Sequence, residues 1–216
     1  MDTFKYKENK LHCEDVNLSE IASSFGTPAY VYSKKALTEN ALMYVNSFTN
    51  PDNMACFSVK SLSNLSVLKL LKEVGCGFDV VSGGEMHRAL SIGADPKSII
   101  FSGVGKSSDE IKQGILNKIL SFNVESVSEL YKIEAIAKKL QMNASVSIRF
   151  NPDIDSGGHD YITTGRKGDK FGISSIEDIL NLSTYISESP NLNMVGLAGH
   201  IGSQVINLES YKETAQ

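Results

Sequence analysis

Short apolar runs recur along most of the chain, and amphipathic stretches lie between them. The runs are ACFSVK (55–60), GFDVVS (77–82), IIFSG (99–103), ILSFNVES (119–126), SVSIRFN (145–151) and MVGLAGHIGS (194–203). Their length and their β-branched and aromatic content predict strands. Between the first two runs, Leu62, Leu65, Leu68, Leu71 and Val74 repeat near the helical period, and Gly75 stands where a helix would stop. Helix starts carry a repeated mark: Ser82/Glu85, Ser107/Glu110, Ser126/Glu129 and Ser174/Glu177 all fit S-x-x-E. In such a capping box the serine accepts from an early helix N–H and the glutamate reaches back to the cap N–H.

Six strands alternating with helices predict βαβ units and a parallel α/β sheet. Two layouts satisfy this pattern, an open doubly wound sheet and a (β/α)8 barrel. No G-x-G-x-x-G follows the first strand, which weakens a dinucleotide-binding layout. A barrel requires eight strands, so a barrel here is expected to be incomplete. The final NLESYKETAQ (207–216) reads as the start of another helix.

In both layouts ligands bind at the carboxyl ends of the strands. The polar residues expected there are Lys60, Asp79 with Ser82, Ser102 with Gly103, Glu125 with Ser126, Arg149 with Asn151, and His200 with Ser203. Each also has an ordinary structural explanation. Capping accounts for Ser82 and Ser126, and Glu125 reads as a solvated loop residue. Asp79 inside a strand and Arg149 between Ile148 and Phe150 each require a partner. Convergence of six units on one mouth argues for a site. GVGKSS (103–108) echoes a phosphate loop, but Ile100 stands where the pattern requires glycine. His12, His87, His159 and His200 lack metal-ligand spacing, so no metal site is expected, and His87 is expected on an exposed helix face. The Gly/Asp-rich stretch 151–172, with SGGH at 156–159, is long for a βα loop and is a candidate cover for the mouth.

Composition narrows the class. The 216 residues are 41% hydrophobic and 21% charged, as in a globular protein with a core of ordinary size. A net charge of −4 argues against a nucleic-acid partner. The charged start, MDTFKYKENK, has no apolar signal region, and no apolar run reaches membrane-spanning length. Cys13, Cys56 and Cys76 are odd in number and read as reduced thiols of a cytoplasmic protein.

The motifs SVK (58–60), GFDVVSGGE (77–85), FSGVGKSSDE (101–110), NVESVSEL (123–130), RFNPD (149–153), ITTGRKGDKFG (162–172) and GHIGSQ (199–204) occur in one order. Together they resemble the barrel domain of the pyridoxal-phosphate decarboxylases with the alanine-racemase-like fold, from about residue 25 onward. The resemblance implies a (β/α)8 barrel with about six of its eight strands present and a C-terminal β domain absent. It implies that residues 1–35 pack partly with that β domain and that 36–216 form the partial barrel. Lys60 is then the lysine that forms the Schiff base with pyridoxal 5'-phosphate, and His200 stacks on the cofactor ring. Ser203 lies near the phosphate, and Asp79 and Arg149 line or support the site. Glu85 matches a family acid near the site, and Lys170 a residue near a dimer interface.

The implied activity is decarboxylation of a diamino acid, meso-2,6-diaminopimelate foremost, with L-lysine as product. Ornithine, arginine and carboxynorspermidine are alternative substrates, and a non-catalytic pyridoxal-phosphate-binding homologue is an alternative from another class. Racemization is disfavoured by GHIGSQ, and an unrelated α/β protein by the ordered set of motifs. The chain is expected to be inactive alone and homodimeric at full length. The glycine-rich phosphate loop, the acid for the pyridine nitrogen and the partner subunit's cysteine are expected in later sequence. Two departures stand beside the expected cofactor: SLSN (61–64) follows the lysine where the family has ANSN or ANPN, and Ala198 and Gly199 replace a bulky pair before the histidine.

Overall fold

The computed structural model describes residues 3–152, 171–203, 205 and 208–215. They fall into two compact units. The first holds the residues up to 57 together with 64–77, and the second holds 58–63 and 78 onward.

The first unit opens with an antiparallel sheet of β1 (Phe4–Lys7), β2 (Lys10–Cys13) and β3 (Val16–Asn17). These strands were not expected from the sequence. Glu8 and Asn9 link β1 to β2 with φ of 50° and 60°. Two successive positive φ values match the twist of a two-residue hairpin. Helix α1 (Leu18–Phe25) starts at Asn17, whose side chain accepts from Ser19 N–H. Helix α2 (Lys34–Val45) starts at Ser33, which accepts from Ala36 N–H and donates its hydroxyl to Glu14 Oε1 at 2.7 Å. Helix α3 (Leu65–Val74) buries Leu68 and Leu71, two positions of the expected stripe, together with Val67. Asn64 caps it, and Gly75 ends it at φ 102°, a left-handed conformation glycine adopts without a Cβ penalty.

The six expected strands form one sheet: β4 (Cys56–Ser58), β5 (Gly77–Val80), β6 (Ile99–Phe101), β7 (Ser121–Val124), β8 (Ala144–Phe150) and β9 (Leu192–Gly199), hydrogen-bonded in chain order. The registers from β5 to β9 are parallel. Sequential order without reversal is the order of a barrel wall, and it excludes the switch point of a doubly wound sheet. Helices α4 (Gly83–Ser91), α5 (Ser108–Asn117), α6 (Val127–Leu140) and α7 (Ile176–Glu188) return the chain between strands, and α8 (Leu208–Ala215) follows β9. Phe78, Val80, Ile99, Phe101, Phe122, Val124, Val146 and Ile148 from the strands are buried with Met86, Ala89, Ile111, Ile115, Leu130 and Ile133 from the helices. Each of the larger side chains contributes about 1.5–3 kcal/mol when removed from water.

The capping serines behave as expected at three of four sites. Ser82, Ser107 and Ser126 each accept from the N–H three residues on. Only Ser107 completes the reciprocal box, with φ −73°. Ser82 and Ser126 have φ of −153° and −157°. Rotation about φ redirects the cap's own N–H, and Glu85 and Glu129 instead accept from the residue before the cap, Val81 and Glu125. The fourth cap is one residue later than expected: Ser175 accepts from Asp178 N–H.

Candidate functional site

The strand ends converge on a cavity of about 600 Å³ within the second unit. Lys60, Asp79, Arg149 and His200 all line it, together with Ser102 and Asn123. Lys60 is not the last strand residue, as the sequence pattern suggests. Strand β4 stops at Ser58, and Lys60 sits exposed on a single 3₁₀ turn, Val59–Ser61. Buried Val59 and the bond from Ser61 Oγ to Ser58 O at 2.7 Å fix that turn.

Asp79 finds its partners in two neighbouring strand ends. Ser58 donates to Oδ2 at 3.1 Å and Ser102 donates to Oδ1 at 2.5 Å. Asn123 Nδ2 donates to Ser102 Oγ at 3.0 Å, so one hydrogen-bonded row crosses four neighbouring strand ends. Two donors make a carboxylate tolerable in a strand interior.

Arg149 is buried and donates from Nη1 to Glu125 Oε1 at 2.7 Å. Its guanidinium also lies 5.1 Å from the centre of the Phe171 ring. Glu125 is therefore not a solvated loop residue: its side chain is 2% exposed, and Oε1 also accepts from Gly103 N–H at 3.0 Å.

His200 is half-buried, and its Nδ1 accepts from Gly202 N–H at 3.1 Å. Burial, then the Arg149 and Lys60 charges, pushes its pKa below the usual histidine value, against the pull of Asp79 and Glu125. Because Nδ1 is the acceptor, the uncharged ring carries its proton on Nε2. Ser203 is exposed on the segment after β9 and does not line the cavity. Lys170, His159 and most of the 151–172 stretch lie outside the described residues, while Phe171 from its end lines the cavity. His87 is exposed on α4, and Glu85 caps that helix.

Sequence reasoning missed Lys106. Its side chain has no exposure, and Nζ donates to Gly103 O, Asn123 O and Glu129 Oε1 at 2.6, 2.8 and 2.7 Å. Dismissing GVGKSS as a failed phosphate loop hid it. A lysine placed between a strand end and a capping serine is a weak signal until its acceptors, which are distant in sequence, are known.

The lining combines a primary amine, an uncharged flat imidazole and an arginine at the carboxyl ends of a parallel sheet. That donor set fits an aromatic aldehyde carrying an anionic group. Fold and lining together define the wall of an incomplete α/β barrel with a polar cavity at the carboxyl ends of its strands. The match to known proteins agrees. Residues 34–216 match the pyridoxal-dependent decarboxylase, pyridoxal binding domain, and the chain belongs to that family, whose cofactor is pyridoxal phosphate. It is 43% identical over 211 residues to diaminopimelate decarboxylase of Haemophilus influenzae, covering 98% of this chain and 51% of that protein. To the Pseudomonas aeruginosa enzyme it is 41% identical over 216 residues, covering 100% and 52%. Diaminopimelate decarboxylase of Helicobacter pylori complexed with L-lysine superposes with a TM-score of 0.86 at 40% identity, covering 92% of this chain and 51% of that one. The M. jannaschii enzyme in co-complex with L-lysine gives 0.87 at 34% identity, covering 98% and 50%. The chain thus spans about half the length of the relatives it matches.

Proposed function

We propose that this chain supplies the cofactor-holding half of a decarboxylase acting on a diamino acid, with meso-2,6-diaminopimelate as substrate and L-lysine as product. The observation that carries the reading is the shared cavity of Lys60, Asp79, Arg149 and His200 in a pyridoxal binding domain. The names of the relatives, and the L-lysine bound in two of the solved structures, support the substrate.

When bound, pyridoxal phosphate supplies the electron sink for the pair left by the departing carboxylate. Lys60 offers the amine that takes the aldehyde. Its exposure on a short turn leaves it able to give way to the substrate's own amine. His200 is suited to lie against the pyridine ring, because an uncharged imidazole offers a flat face with little loss of freedom. Arg149 and the Asp79 row hold fixed charges and dipoles at the mouth, so no reorganisation is needed when a charged substrate arrives. Ser203 offers a hydroxyl for the phosphate. Residues 1–35 belong, in this reading, with a β domain, and 36–216 with the barrel. The full-length protein acts as a cytoplasmic homodimer, and the 216-residue chain alone gives no turnover.

The test is to mix the chain with pyridoxal phosphate, follow the absorbance of the bound cofactor, reduce with borohydride and locate the modified lysine by peptide mass spectrometry. Label on Lys60 that vanishes in Lys60→Ala supports the reading. Label scattered over surface lysines overturns it. Carbon dioxide release from meso-2,6-diaminopimelate, ornithine and arginine by a full-length protein then decides the substrate, and robust release by this chain alone would sink its proposed inactivity.

A further inference from the structure

Behind the cavity wall, four hydrogen bonds close into a circuit. Gly103 N–H donates to Glu125 Oε1 at 3.0 Å, and Glu125 N–H donates to Glu129 Oε2 at 2.7 Å. Lys106 Nζ donates to Glu129 Oε1 at 2.7 Å and to Gly103 O at 2.6 Å. Gly103 is therefore gripped at both its N–H and its carbonyl, in a left-handed conformation with φ 94°. The segment it begins, Gly103–Val104–Gly105, lines the cavity, whereas Glu125 and Lys106 do not.

The circuit is an expensive way to hold a loop. The Lys106 and Glu125 side chains are 0% and 2% exposed, and well-packed apolar residues often stabilise as well as a buried ion pair does. Glu125 Oε2 is moreover buried without a hydrogen-bond partner among the described residues. What buried charges provide that apolar packing does not is a fixed direction. Glu125 directs two groups at once: the Gly103 N–H and the Arg149 guanidinium share its Oε1.

We propose that Glu125 and Lys106 are positioning residues of this site. Together they fix the 103–105 wall and the Arg149 guanidinium, and so set how tightly the cavity takes a phosphorylated pyridine aldehyde. The identity of that ligand rests on the functional reading above, but the positioning does not.

Glu125→Gln keeps the shape and an acceptor for Gly103 N–H and removes the charge opposite Arg149. Folding is checked first by circular dichroism and cooperative melting. Two readouts follow on the folded variant: the apparent Kd for pyridoxal phosphate, and the pKa of His200 from its ring signals by NMR without cofactor. Among the described residues, Arg149, Lys60, Asp79 and Glu125 are the charged groups that act on His200. Neutralising Glu125 leaves that set more positive, so the His200 pKa falls further. The Kd weakens roughly tenfold, as expected for loss of a charge-assisted bond. Lys106→Met weakens the Kd likewise, and Lys106→Arg restores most of it by keeping the charge. A folded Glu125→Gln with wild-type Kd and wild-type His200 titration overturns the proposal. If Lys106→Met does not fold, Glu125→Gln decides alone. If the wild-type chain takes no cofactor at Lys60, the functional reading falls, and the Arg149 guanidinium N–H signals by NMR, which shift and broaden in Glu125→Gln if Glu125 holds that group, decide the positioning.

Discussion

Ser102 donates its hydroxyl to Asp79 across 2.5 Å, joining two strand ends that lie 23 residues apart. Asn123 in turn donates to Ser102, and Ser58 to the other carboxylate oxygen. The row ties four strand ends together at the edge where the ligand is expected.

Removing its centre has a measurable cost. Ser102→Ala takes one donor from Asp79 and one acceptor from Asn123, and it is expected to cost about 1–3 kcal/mol in urea unfolding. Asp79→Ala strands two hydroxyls and is expected to cost a similar amount. Unchanged unfolding midpoints in both variants would show that water replaces the row at no cost.

His200 makes stability depend on pH. Its folded pKa lies below the usual value near 6.5, because burial and the Arg149 and Lys60 charges disfavour the imidazolium. Between the folded and unfolded values the unfolded chain binds more protons, so stability rises with pH there. The contribution is complete above about pH 6.5 and is lost as pH falls through the folded value. Unfolding of wild type and His200→Gln from pH 7.5 downward checks this: the variant should lose part of the slope, and identical slopes would contradict it.

Glu110 serves two helices. Its Oε1 accepts from Gly83 N–H at 2.7 Å, at the start of α4, and its Oε2 accepts from Ser107 N–H at 2.9 Å in its own cap. The Gly83 bond first, then the Ser107 bond, holds its carboxyl below the usual range. That stabilisation is present above about pH 4.5 and disappears as pH falls through the lower folded value. Glu110→Gln keeps one acceptor oxygen and is expected to cost about 1 kcal/mol at pH 7, with a smaller difference in acid. An equal difference at pH 7 and pH 3 would show that charge plays no part.

Gly114, inside α5, tests the packing against the sheet. A Cβ there would meet Phe122 Cζ at 2.5 Å and Cε1 at 2.8 Å. The better helix propensity of alanine gains about 1 kcal/mol, and forcing a buried ring aside costs about 1–3 kcal/mol. Gly114→Ala is expected to lower the melting temperature. A rise would mean that Phe122 moves freely, against its near-complete burial.

The second unit was legible because its signals are local. Six apolar runs became six strands, and three serine caps fell where S-x-x-E placed them, since a helix start is decided within four residues. The β1–β2 hairpin was overlooked because its turn, Glu8–Asn9, lacks the glycine that usually marks such a turn, although both residues adopt positive φ. The extra reach of Glu85 and Glu129 past their caps depends on the φ of Ser82 and Ser126, and a sequence pattern does not contain that angle.

The sequence alone determined the strand–helix rhythm, the polar residues at the strand ends and, through its ordered motifs, the resemblance to a family. These follow from periodicity and from side-chain chemistry, which are written residue by residue. Only the tertiary structure decided which buried charges meet. Glu125 read as a solvated loop residue and Lys106 as part of a failed motif, yet both are buried and paired across 17 to 24 residues. A charge can leave water only where its partners already stand, and those partners come from other strand ends and from the first turn of α6, which the sheet brings together.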